Sequence, residues 1–72
     1  MHQSTFDYLM PTEAQRAAME DARAAARAYA NALEALVPEG PDKTYIFRKL
    51  REVGMWVNVT ITRRADGSPR VD

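Results

Sequence analysis

Met55-Trp56-Val57-Asn58-Val59-Thr60-Ile61-Thr62 is the stretch on which the fold turns. Its β-branched residues favour a strand, and its later part alternates apolar with polar as a strand would. The same residues also extend a helical series. Ile46, Leu50, Val53, Val57 and Ile61 recur at steps of four, three, four and four, lining one helical face. Pairing partners decide between the two. Asp66-Gly67 reads as a hairpin turn, but only Ser68 to Asp72 follow it and Pro69 interrupts them. A lone strand leaves its backbone groups unpaired, which only an intermolecular sheet would remedy. The remaining length therefore predicts a second helix over about residues 43 to 63, capped by Asp42.

Upstream, Thr12-Glu13-Ala14-Gln15 matches a capping box, and Glu13 sits where the helix dipole favours a negative charge. Eleven alanines follow between Ala14 and Ala35 with no proline or glycine among them, and alanine is the best helix former. Pro38-Glu39-Gly40-Pro41 stops the run, which predicts a first helix over 12–37. Met19, Ala22, Ala26, Tyr29, Leu33 and Leu36 form its apolar stripe. Arg16, Glu20, Arg23 and Arg27 share the opposite side, either as a solvated face or as something more. Arg23 and Arg27 repel one another at i,i+4 unless an anion lies between them. The short link makes the helices antiparallel neighbours. The expected fold is thus all-α: a lead segment (1–11), a helical hairpin (12–64) and a flexible C-terminal tail (65–72).

Composition narrows the function. The 72 residues carry 10 basic and 10 acidic groups, no cysteine and one histidine. A disulfide framework and a cysteine-based zinc site are excluded, and a neutral chain is a poor coat for duplex DNA. A core this small often needs a metal, a disulfide or a partner chain, and self-association is the remedy left. Residues 1–42 hold three arginines against seven carboxylates, net −4; residues 43–72 hold seven cations against three, net +4. Opposite signs favour pairing of the two halves. Arginine outnumbers lysine 8 to 2, which suits bidentate contacts to phosphate or follows from a GC-rich genome. No membrane span or signal peptide is visible, and the lack of cysteine fits a reducing cytosol. No nucleophile–base set, phosphate loop or metal cluster stands out, so neither catalysis nor a cofactor is expected.

The core of the second helix, Lys49-Leu50-Arg51-Glu52-Val53-Gly54-Met55-Trp56-Val57-Asn58-Val59-Thr60-Ile61-Thr62-Arg63, resembles a phage helical-hairpin family. That family comprises the type-two anti-CBASS proteins and the type-one Thoeris anti-defence proteins. Its second helix often reads Leu, two polar residues, Ala, any residue, Met-Trp, any residue, Asn, then Ile and Arg. Leu50, Met55, Trp56, Asn58, Ile61 and Arg63 keep that register, whereas Val53 stands for the usual alanine. Asp7-Tyr8 with Pro11-Thr12-Glu13 is similar to the family's N-terminal segment, and Leu33-Glu34-Ala35-Leu36-Val37 to the end of its first helix. The resemblance implies a sponge that captures cyclic nucleotide immune signals without cleaving them. Cyclic di- and trinucleotides, and in some relatives cyclic ADP-ribose isomers, are the implied ligands. It also implies a homo-oligomer, commonly a hexamer, with pockets between protomers and a place in the bacterial host cytoplasm during infection.

The same resemblance implies site residues. Tyr8 is implied to stack on a base, or else it staples the lead segment to the first helix. Arg27 is implied to contact phosphate, with Arg23 one turn earlier in support; the alternative for both is a solvated face or an inter-protomer ion pair. Asn58, one turn from Thr62, either reads a nucleotide edge or closes a buried hydrogen bond. Arg63 either reaches phosphate or serves the C-terminal end of its helix, where the dipole favours cations. Trp56 and Met55 are expected in a core or interface. Gly54 costs its helix about 1 kcal/mol relative to alanine, which close helix approach at an interface would explain.

Overall fold

The computed structural model describes residues 1–71; Asp72, the last residue of the expected tail, lies outside them. Two helices, α1 (Glu13–Leu36) and α2 (Pro41–Thr62), pack against each other as a hairpin. The stretch 55–62 is helical, as the length argument required. Thr12 and Gln15 close the expected capping box: the Gln15 N–H donates to Thr12 Oγ1 at 3.1 Å and the Thr12 N–H to Gln15 Oε1 at 3.0 Å.

The turn departs from expectation. The N-cap of α2 is Gly40, not Asp42, and the helix begins at Pro41. Proline suits the first helical position because its φ is preset and it needs no amide donor there. Gly40 holds φ +149°, a conformation essentially closed to other residues, and this lets the chain reverse between two prolines. Asp42 instead lies in the first turn, where the dipole favours it.

Most of each expected apolar stripe is half-buried, with departures at single positions. On α1 Met19, Ala22, Ala26 and Leu33 are half-buried as expected, joined by Ala30 and by the C-cap residue Val37. These advance by a mean step near 3.6, the true helical repeat. Tyr29 and Leu36, expected on that stripe, are exposed. On α2, Ile46, Leu50, Val57 and Ile61 are half-buried as expected, but Gly54 turns inward and Val53 outward.

No apolar side chain is fully buried among the described residues. The two buried residues are polar, one at each end of the hairpin: Gln15 at 7% exposure and Lys43 at 6%. Lys43 repairs a defect that Pro38 creates. The Glu34 carbonyl would accept from the residue 38 amide, but proline has none. Lys43 Nζ donates to that carbonyl at 2.9 Å and pairs with Glu34 Oε1 at 3.1 Å and Glu39 Oε1 at 2.6 Å. The hydrogen bond to Glu39, followed by the Glu34 contacts, holds the ammonium pKa above its ordinary value against the opposing effect of desolvation. This is the one ion pair between α1 and α2 among the described residues, so the opposite charges of the two halves meet only at the turn.

The other end is closed by a clasp. Beyond α2 the chain reverses at Arg64–Gly67, with the Gly67 N–H donating to Arg64 O at 2.9 Å and the Arg64 N–H to Ser68 O at 2.8 Å. Gly67, at φ +91°, supplies the positive φ expected of a glycine closing a three-residue hairpin loop. Asp66-Gly67 therefore does make a turn, but it follows the helix and pairs only Arg63 with Pro69. The flexible tail expected from residue 65 is, through the described residues, hydrogen-bonded back onto the hairpin. The Arg70 N–H donates to Thr62 O at 2.8 Å, and Arg70 Nε to Thr60 O at 3.0 Å. Those carbonyls belong to the last turn of α2, which has no intrahelical donors left. Gln15 Nε2 then donates to Arg70 O at 2.6 Å, tying α1 to the fold-back.

Candidate functional site

A half-open groove of about 280 Å³ runs between α1 and α2 near the middle of the hairpin. Ala22, Ala25 and Ala26 line it from α1, and Leu50, Val53, Gly54 and Val57 from α2. It exists because the facing positions are small: alanines and a glycine leave space that larger side chains would fill. Arg23 and Tyr29 line it from α1 and Asn58 from α2, adding a cation, an aromatic ring and an amide to an otherwise apolar trough. Such a set can hold a planar, anionic, hydrogen-bonding ligand by its face, its charge and one edge.

Of the six residues expected at a site, the hairpin brings two into this groove, Arg23 and Asn58. Arg27 is exposed, lies outside the lining, and has no carboxylate partner among the described residues. Its repulsion with Arg23 is therefore unrelieved within the protomer. Tyr8 is 83% exposed and packs into no groove of its own chain. Its two expected uses were a base stack and a staple on α1, and this exposure leaves no room for a buried staple. The Thr62 hydroxyl donates to the Asn58 carbonyl at 2.8 Å, so its proton is engaged one turn back along α2.

Arg63 has a task of its own. Its Nη1 donates to Ser4 O at 2.7 Å and Gly67 O at 2.8 Å, and its Nη2 to Asp7 O. As the C-cap residue it also donates its N–H to Val59 O at 2.8 Å. Its guanidinium thus joins the lead segment, the fold-back and the end of α2.

Tyr29 is the groove residue that sequence reasoning misplaced. Its spacing from Ala26 and Leu33 places it on the packed stripe, yet it is 59% exposed at the groove's edge. A strict 3.6 period counted from Met19 picks Ala30 instead, so the signal was there in the spacing.

A second apolar surface runs along the outer face of α2. Lys49, Glu52, Val53, Trp56, Val57, Thr60 and Ile61 line it. Val53 is 55% and Trp56 62% exposed, a large apolar area for one chain to leave in water. Trp56 and Met55 were expected in a core or interface; within the protomer neither is covered. Lys49 borders this face, paired with Glu52 at 3.3 Å and lying 5.4 Å from the Tyr45 ring centroid. Among the described residues no helix is long and apolar enough to cross a membrane.

Comparison with known family models, curated proteins and solved structures finds no match to this chain.

Proposed function

We propose that this chain is a phage anti-defence sponge that binds cyclic nucleotide immune signals and withholds them from their effectors without cleaving them. The working form is a homo-oligomer, a hexamer by resemblance, acting in the host cytoplasm. The observation that carries this reading is the groove in which Arg23, Tyr29 and Asn58 converge over a floor of alanines and Gly54. The resemblance of the Met55-Trp56-Val57-Asn58 helix names the ligand class. Self-association is supported by the uncovered Val53 and Trp56 face and by the lack of any fully buried apolar residue. In an oligomer, Tyr8 and Arg27 can complete a neighbour's groove, since Tyr8 is exposed and Arg27 has no carboxylate partner among the described residues. Overall neutrality is acceptable because a small cyclic phosphodiester needs only a few cations at one place.

Titration calorimetry with cyclic di- and trinucleotides and cyclic ADP-ribose isomers tests the proposal. Binding, with the ligand recovered intact by chromatography, is the expected result. The exposed α2 face also favours a second reading, a helical-hairpin interaction module that oligomerises and binds protein alone. An oligomer that binds none of these ligands decides for that module and against the sponge.

A further inference from the structure

We infer that Arg63 is a positioning residue: it fixes the lead segment so that Tyr8 is held ready at the surface, and its guanidinium is not a phosphate contact. Assigning Tyr8 to the ligand rests on the sponge reading; the clamp itself does not. Three of the five guanidinium donors of Arg63 are engaged by the backbone carbonyls of Ser4, Asp7 and Gly67. The Asp7 carbonyl belongs to the peptide unit that joins Asp7 to Tyr8. Because that unit is planar, holding its oxygen orients the bond into Tyr8. A second tether secures the same segment independently: the His2 N–H donates to Asp66 O at 2.5 Å, and Thr5 lies so close to Gly67 that a Cβ there would collide with Thr5 Oγ1.

The consequence is preorganisation. An aromatic ring on a loose segment must lose backbone as well as rotamer freedom when it binds, which lowers affinity; on a clamped segment the backbone part has been lost beforehand. The guanidinium spreads these donors over two nitrogens in a fixed plane, Nη1 toward Ser4 and Gly67 and Nη2 toward Asp7. A lysine ammonium keeps the charge but is a point donor on a flexible stem.

Hydrogen exchange on the ligand-free protein reads the clamp directly. The Thr5 and Asp7 amides donate to His2 O at 3.1 Å and Ser4 O at 3.0 Å. In Arg63→Gln both should exchange faster while amides in the middle of α1 and α2 keep their protection. Unchanged exchange at residues 2–7 overturns the inference. Calorimetry with cyclic di-AMP, cyclic tri-AMP and cyclic ADP-ribose then reads Tyr8. With whichever of these binds, Tyr8→Ala and Arg63→Gln should each lose about 10-fold in affinity, the scale of one base–aromatic stack. The double variant should lose no more than either alone, and the salt dependence should stay as in the wild type. Losses that multiply to about 100-fold, with a shallower salt slope, mark a direct phosphate contact and overturn it. Arg63→Lys supplies the conservative control: lead-segment exchange and affinity should move together, and affinity kept while the segment exchanges freely is fatal. A wild-type chain that binds none of the three probes defeats the sponge reading and leaves the exchange measurement to decide the clamp.

Discussion

Replacing Gly54 with alanine should stabilise the hairpin and weaken ligand capture, two effects of opposite sign from one methyl group. Glycine inside a helix is about 0.8–1.0 kcal/mol less favourable than alanine. Beyond the adjoining backbone of its own helix, a Cβ at Gly54 would meet nothing within 4 Å, so no clash offsets that gain. For a domain of this size about 1 kcal/mol corresponds to a rise in Tm of about 4–8 °C. Gly54 also lines the groove with Ala22, Ala25, Ala26 and Tyr29. A ligand or neighbouring side chain packed there would meet the added methyl. Overpacking a filled site typically costs about 1–3 kcal/mol, which is about 5- to 150-fold in affinity.

Thermal unfolding followed by circular dichroism, repeated over a range of protein concentrations, separates the hairpin from its assembly. Calorimetry on the same samples reads the groove. The expected pattern is a higher Tm at the lowest concentration together with weaker nucleotide binding. A lower Tm at every concentration would refute the open space at Gly54. A higher Tm with unchanged affinity would refute the groove as the place where ligand sits.

Thr12→Ala removes the capping box of α1 and should cost about 1 kcal/mol, seen as a Tm lowered by several degrees. Gly67→Ala forces a side chain into positive φ and against Thr5, about 1–3 kcal/mol of local strain, so hydrogen exchange at residues 2–7 and 64–70 should quicken before the helices are affected. Lys43 has a pKa raised in the folded chain, so its contribution is fully present below its ordinary 10.5 and is lost as pH rises through the higher folded value. A Tm that falls above that range in the wild type, but not in Lys43→Met, checks the turn clamp. Trp56→Glu places a charge on the uncovered face of α2 and should lower the mass seen by light scattering to that of the monomer, with the helical signal kept.

How much was legible in the sequence depended on how local each feature is. The helices were, because a capping box, an alanine run and a proline stop all act within a few residues of themselves. At Tyr29, Leu36 and Val53 the structure departs from the expected stripes because steps of three and four fit more than one neighbouring position on a helix. Ala22, Ala26 and Ala30 face α2 between Met19 and Leu33, while Tyr29 and Leu36 lie outside. Gly40 displaced Asp42 because Pro41 could itself start the helix. Lys43 was readable in principle, since Pro38 necessarily deprives the Glu34 carbonyl of its donor, but which cation answers depends on the turn. The meeting of Arg23 with Asn58 depends on the register between α1 and α2, which no local pattern specifies. Arg63 was read as a cation at a helix end, and it is one. Its partners at residues 4, 7 and 67 come from both ends of the chain and have no signature in spacing.

The hairpin is closed by polar groups at its ends and left thin in its middle, and this arrangement bears on what it does. Its radius of gyration is 14.9 Å, against about 11 Å for a compact domain of 72 residues. Its accessible surface is 5835 Å², against about 4,500 Å² for a folded monomer of 8.1 kDa. The excess of about 1,300 Å² exceeds the roughly 800 Å² that one partner contributes to a standard interface. Lys43 at the turn and the Gln15–Arg70 hydrogen bond at the other end tie the two helices together without needing a filled core between them. The apolar surface that would otherwise have formed that core is therefore available outside, on the Val53 and Trp56 face and in the groove beside Gly54. In the proposed assembly the exposed Tyr8 and Arg27 of one copy are available to the groove of another, which Arg23 and Asn58 line. On this view assembly and ligand capture are one event, and variants that break the assembly at Trp56 should lose nucleotide binding even though Trp56 does not line the groove.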